Sequence, residues 1–265
     1  MVLRLAVAAL STVCLAGAAQ AQRGEDPGLM IAAGAAYTPD YLGSDDFRVI
    51  PFGAVRGRIA GMRIETDGPG LTLTINPDSA IQYGPYVRYL QGRDAGDIDD
   101  TVVRLMPDVD AGVVGGGFVR AQVANEVFLP RDRVFLSGRV GTDITGTFDG
   151  ITWEASATYG FGVSESLIFA LSASVSGSPD DYADQLMSIS AEESALTGLD
   201  TFAADGGIRD VGLTALANYR FSDDWSLWLI SNYSKLQGDF ADSPLVSVRG
   251  SDDQFFAGIA IGRQF

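Results

Sequence analysis

The run ITWEASATYGFGV, from Ile151 to Val163, alternates along its whole length. Ile151, Trp153, Ala155, Ala157, Tyr159, Phe161 and Val163 are apolar or aromatic, while Thr152, Glu154, Ser156, Thr158, Gly160 and Gly162 are polar or small. Successive side chains of a strand point to opposite faces, so such a run keeps one face apolar and leaves the other polar or open. A strand of a water-soluble sandwich is usually about 5 or 6 residues long, whereas a tilted membrane strand needs about 9 to 11. The alternation here persists for a membrane length.

The same pattern recurs. Leu167, Phe169, Leu171, Ala173 and Val175 oppose Ala170, Ser172, Ser174 and Ser176; Val211, Leu213, Ala215, Ala217, Tyr219 and Phe221 alternate with Gly212, Thr214, Asn218 and Arg220. Segments of this kind predict strands over 28–38, 47–58, 60–66, 70–76, 80–91, 109–124, 133–147, 150–163, 166–177, 208–221, 225–237 and 254–265. Roughly twelve strands is an even number, as a bacterial barrel with both ends in the periplasm requires. The long connections, near 92–108, 178–207 and 238–253, each follow an odd-numbered strand, and tight ones near 77–79, 164–165 and 222–224 follow even-numbered strands. That parity places the long loops outside the cell and the short turns in the periplasm, where only Asn125 to Asp132 is longer than the rest. After Ala21 no window offers the roughly 18 uninterrupted apolar residues of a membrane helix. The expected fold is all-β: a monomeric, transmembrane, antiparallel up-and-down β-barrel.

The chain ends agree. Arg4 supplies a positive n-region, Leu5 to about Leu15 an apolar h-region, and Ala19-Gln20-Ala21 the small residues of a signal-peptidase site. Residues 1–21 therefore read as a cleaved signal peptide and 22–265 as one barrel domain. Cys14 is a poor lipidation site, because Val13 stands where a small residue is needed. At the other end, Phe255, Ala257, Ile259, Ile261 and Phe265 share one face of FFAGIAIGRQF. A terminal strand ending on an aromatic residue is the label by which Gram-negative cells direct a barrel to the barrel-assembly machinery. Phe255, Ile259, Ile261 and Phe265 form that insertion strand, and Arg263 interrupts its face. The expected location is the outer membrane, among lipid and lipopolysaccharide.

Composition narrows the function. The formal charge of −16, or −17 once Arg4 has left with the signal, argues against nucleic acid as a partner. There is no histidine, and the one cysteine, Cys14, lies in the signal. Ser–His dyads and triads, and the phospholipase, palmitoyl-transfer and deacylase mechanisms of known barrel enzymes, have no base to use. Zinc sites built on His or Cys have no ligands. No catalytic residue, cofactor or metal is assigned, and stability without a disulfide must come from a large sheet. Asp94, Asp97, Asp99 and Asp100, and again Asp180, Asp181 and Asp184, fall in predicted outer loops without the spacing of a calcium loop. Solvated charge, or bridging to lipopolysaccharide through divalent ions, is the simpler reading.

With the apolar face toward lipid, Arg88, Arg120, Arg139 and Arg220 point into the lumen with Asp110, Asp143 and Glu154. Buried charges must pair across strands or meet lumen water. They form either the selectivity lining of a solute pore or an ion-pair ladder filling a modest barrel; the second asks less of a barrel this size. Trp225, Tyr159, Phe161, Tyr219 and Phe221 suit an aromatic girdle at the headgroups. Within the longest loop, Ser190 and Glu193 make a capping box and Gly198 a stop, so SAEESALTG predicts a short helix.

The stretches SISAEESALTGL, GGIRDVGL, NYRFSDDWSLW, YSKLQGDFADSPLV and RGSDDQFFAG, with YTPDYLGSDDFRVIPFGAVRG near the start, resemble the MipA/OmpV family of outer-membrane proteins, also called MltA-interacting proteins. The resemblance spans essentially the mature chain and departs at Arg263 and at DQLMSIS before the loop helix. It implies an outer-membrane barrel without a catalytic motif. For the namesake it implies a scaffold joining a murein hydrolase to a murein synthase; for some other relatives it implies adhesion or antibiotic uptake.

Overall fold

A computed structural model describes residues 28–265; the predicted signal segment, with Ala19 and Ala21, lies outside the described residues. Twelve strands close into one barrel, each antiparallel to its neighbours: β1 (Met30–Pro39), β2 (Phe47–Ile59), β3 (Met62–Asp67), β4 (Gly70–Thr74), β5 (Ile81–Leu90), β6 (Gly112–Asn125), β7 (Arg133–Asp143), β8 (Ile151–Gly162), β9 (Leu167–Ser178), β10 (Gly207–Arg220), β11 (Trp225–Leu236) and β12 (Asp253–Gln264). Among the described residues no helix is long and apolar enough to cross a membrane. Closure is the alternative way to satisfy every backbone amide without water.

The alternation sorts the side chains as the sequence predicts. Val49, Ile81, Val119, Leu136, Leu213 and Ile259 stand exposed on the outer face. An apolar belt running round the barrel far exceeds what a water-soluble surface tolerates and suits contact with lipid. Near the end that carries the short turns, Phe128, Tyr159, Phe161 and Phe169 make successive ring contacts at 5.8, 5.1 and 5.6 Å. Arg263 belongs to this girdle. Its guanidinium lies over Trp225 at 5.5 Å and over Phe265 at 4.9 Å, so a charge on the outward face is carried by aromatic rings at the barrel's edge.

The loop end is closed by its own loops. Helices α1 (Asp180–Met187), α2 (Ala191–Thr197), α3 (Asp239–Asp242) and α4 (Pro244–Ser247) lie there with two short 3-10 turns at Ala95–Asp97 and Val103–Leu105. Helix α2 has the predicted capping box between Ser190 and Glu193 and ends on left-handed Gly198. Tyr182, Leu186 and Met187 of α1 and Phe240 of α3 pack with Phe148 onto Tyr86, Leu90, Val114 and Phe118 of the barrel wall. Ile98, Val103 and Met106 form a second core with Tyr41, Leu199 and Leu245. Each such side chain fully buried contributes about 1.5–3 kcal/mol, so the plug is a small core in its own right. Cross-links fix it: Ser243 donates to the Met187 carbonyl at 2.7 Å and Arg93 to the Leu186 carbonyl at 2.9 Å.

The β1–β12 seam is tight at Gly34, where an added Cβ would lie 2.0 Å from the Ile259 carbonyl oxygen. At Gly53 on β2, an added Cβ would meet only the Ala32 carbonyl oxygen, at 3.5 Å. Gly34→Val should therefore abolish the heat-modifiable folded band on electrophoresis, while Gly53→Val should retain it.

Candidate functional site: the barrel lumen

Strand parity decides which charges share the interior. Arg56 on β2 and Arg63, Glu65 and Asp67 on β3 face inward with Arg88 on β5, Arg120 on β6, Arg139 on β7 and Glu154 on β8, and all eight are buried. Glu65 is the hub of one group, 3.5 Å from Arg56, 3.7 Å from Arg63 and 3.7 Å from Arg120. Glu154 is the hub of the other, 3.0 Å from Arg88 and 3.6 Å from Arg139. Arg139 also reaches across the lumen to Asp67 at 2.8 Å. Five guanidinium groups meet three carboxylates, a formal excess of +2 inside a chain that is strongly negative overall.

The arginines are supported from beneath by rings. Arg139 lies over Tyr86 at 5.3 Å, Arg120 over Phe118 at 5.8 Å and Arg56 over Trp228 at 5.8 Å. Glycine makes room for Tyr86: a Cβ at Gly141 would stand 2.6 Å from its hydroxyl, and one at Gly116 2.9 Å from its ring. The opposite side of the lumen is apolar. Ile50 and Phe52 of β2, Leu216 of β10, Trp228 and Ile230 of β11 and Phe256 of β12 cluster there.

Of the residues expected in the lumen, Arg88, Arg120, Arg139 and Glu154 come together. Three others lie elsewhere. Asp110 is exposed in the segment before β6, because that strand starts at Gly112 rather than at 109. Asp143 ends β7 and caps the following turn, accepting from the Thr145 amide at 3.1 Å and from the Thr147 and Phe148 amides; the strand stops four residues short of the predicted end. Arg220 ends β10 and donates to the Glu165 carbonyl at 3.2 Å. Arg56 on β2 and Arg63, Glu65 and Asp67 on β3 are absent from that expected set, although the last three recur at every second position of β3, the spacing of a lumen face.

The acidic loop residues act as local clamps. Asp97 pairs with Arg48 at 2.6 Å, Asp100 binds Arg249 and the Val102 and Val103 amides, and Asp180 accepts from the Gly206 amide at 2.9 Å. No three candidate metal ligands converge among the described residues.

The turn between β6 and β7 is a second ordered feature. Asp132 accepts the amides of Val127, Phe128 and Leu129 at 2.7, 2.8 and 2.8 Å and the Tyr159 hydroxyl at 2.8 Å. Burial pushes its carboxyl up, but these donors outweigh burial and hold it at about 2. The turn thereby presents Phe128, 80% exposed, on a fixed backbone.

Removing one member of a buried pair leaves the other charge without compensation, at a cost of about 3–5 kcal/mol. Glu154→Gln should destabilise the barrel by about that much in urea unfolding followed by tryptophan fluorescence. Arg58→Ala, which breaks an exposed pair with Asp78, should cost no more than about 1 kcal/mol.

The profile of the family described as "MltA-interacting protein MipA" matches residues 31–265. No curated protein sequence matches significantly. Among solved structures the chain is similar to the NanC porin, at 9% identity and TM-score 0.47, covering 89% of this chain and 100% of that one. It is similar to the CymD monoaromatic hydrocarbon channel, at 11% identity and TM-score 0.42, over 97% and 95% of the two chains. It is also similar to the Pseudomonas putida toluene transporter TodX, at 8% identity and TM-score 0.39, over 94% and 91%.

Proposed function

The chain belongs to the MipA family of MltA-interacting proteins, whose profile spans residues 31–265, and from that premise we propose that it is a non-enzymatic structural barrel of the outer membrane. In this reading residues 1–21 are removed on export, and 22–265 reach the outer membrane through the barrel-assembly machinery. There the barrel holds a murein hydrolase near a murein synthase.

The observation that carries the proposal is the occupied lumen. Loop helices pack a buried core onto the barrel wall at one end, and ion pairs span the interior below it. A solute path would have to displace both. The docking surface is the turn held by Asp132, with Phe128 and its apolar neighbours Val127 and Leu129 on the outside. An exposed aromatic on a pre-ordered backbone suits protein recognition, because little entropy is lost on binding. The alternative is a solute channel, in which the +2 band selects anions.

Purified protein in planar bilayers should give no steady conductance. Steady conductance altered by charge reversal at Arg120 or Arg139 would establish the channel instead. A lytic murein transglycosylase should co-purify with the tagged protein, and Asp132→Ala should lose it while the folded band on electrophoresis survives. Retention of the enzyme by that variant would remove the turn as docking surface.

A further inference from the structure

The barrel wall is incomplete at one place. Strands β3 and β4 have 6 and 5 residues, between neighbours of 13 and 10. β2 pairs with β3 only from Arg56 to Ile59, so the turn at Gly68 and Pro69 stops partway up β2, while on the other side the hairpin stays bonded to β5 up to the Tyr89 amide, which donates to the Pro69 carbonyl at 3.1 Å. Beyond that turn, among the described residues, the edge of β2 from Phe47 to Ala54 pairs with no strand on the hairpin side. Pro51 lies on this stretch, and proline is at home on a strand edge where no ladder bond needs its missing amide. The Arg48–Asp97 pair crosses the loop end of the gap.

A cavity of about 480 Å³ occupies it. Its wall includes every residue of β2 from Ile50 to Arg56. The cavity runs along the unpaired edge of β2, where no ladder closes the wall, and its lining joins outward-facing to inward-facing side chains. Outside it begins at Leu71 and Val87; inside it reaches Trp228 and Phe256. Its polar margin is Arg56, Glu65 and Arg88, the edge of the positive band.

We propose that this window admits, from the lipid phase, a single acyl chain carrying an anionic head, with the hydrocarbon in the apolar half of the lumen and the head against Arg56 and Arg88. The volume lies within the roughly 300–1,000 Å³ of small-molecule sites. A chain gains little by exchanging lipid for an equally apolar wall, so selectivity rests on charge-assisted bonds to the head. The inference stands apart from the structural role proposed above and uses neither the Asp132 turn nor a protein partner.

Trp228 reports on the chamber, since bromine quenches indole fluorescence only near contact. The protein carries three tryptophans, so Trp153→Phe with Trp225→Phe leaves Trp228 alone. In nanodiscs of unbrominated lipid, 12-bromododecanoate should quench Trp228 saturably. Arg56→Gln should raise the midpoint about tenfold, the scale of one lost charge-assisted hydrogen bond. Arg88→Gln serves if the first variant fails to fold. Gly53→Leu, on the outer face of the window, should weaken quenching with the folded band intact. Saturable quenching by the free acid assigns the chain to a fatty acid. Quenching only in discs of dibromostearoyl phosphatidylglycerol, again reduced by Gly53→Leu, assigns it to a bilayer phospholipid. The proposal is overturned if neither probe quenches Trp228, or if quenching is linear in probe and unchanged by the Gly53 and arginine variants.

Discussion

A backbone amide without a partner in hydrocarbon costs several kcal/mol, and nearly everything in this molecule depends on avoiding that cost. Twelve strands joined edge to edge leave no free ladder except beside the short β3–β4 hairpin. Even there the chain makes provision. The Val55 amide donates to the Thr66 hydroxyl at 2.9 Å, and Pro51 has no amide to lose.

Once the ladder is closed, strand parity divides the side chains without further instruction. The outer face takes the apolar set, and the inner face must accommodate what remains. It does so largely by segregation: guanidinium and carboxylate groups gather on the side of β3 to β8 and aliphatic and aromatic groups on the side of β9 to β12, with β2 contributing to both, while an Arg209–Asp210 pair at 2.7 Å at the start of β10 lies outside this division. Arginine suits the charged side because its flat, weakly hydrated head stacks on a ring while it pairs at its edge. Tyr86, Phe118 and Trp228 provide such rings.

How much of this could be read beforehand varied with strand length. β8, β9 and β10 show unbroken alternation over at least a dozen residues, and their predicted limits lie within about a residue or two of the observed ones. β3 and β4 are too short for an apolar face to stand out, and the charges at Arg63, Glu65 and Asp67 went unread with them. Alternation extended beyond the point where a turn takes over places Asp110 and Asp143 in the lumen, whereas β6 starts only at Gly112 and β7 stops at Asp143. Helix α2 could be read because its capping box is local. Helix α1 could not: Asp180 and Asp181 look like loop acids until the preceding Pro179 and a first helical turn that favours carboxylates are considered together. The window needed pairing information that one sequence does not carry, although Pro51 inside a strand hinted at an edge.

The segregation of the lumen also bears on how the strand register is held. The ion pairs of the charged band all join strands between β2 and β8, while the closing seam between β1 and β12 is lined inside by Met30, Ala32 and Ala260. The strands from β2 to β8 therefore carry the contacts that are most sensitive to register, since a guanidinium shifted by one residue would face lipid. The inner side of the seam brings together small apolar side chains that match by shape alone. The register of this barrel is thus held electrostatically on one side of the lumen and by shape on the other, and no buried ion pair ties β12 to β1 among the described residues.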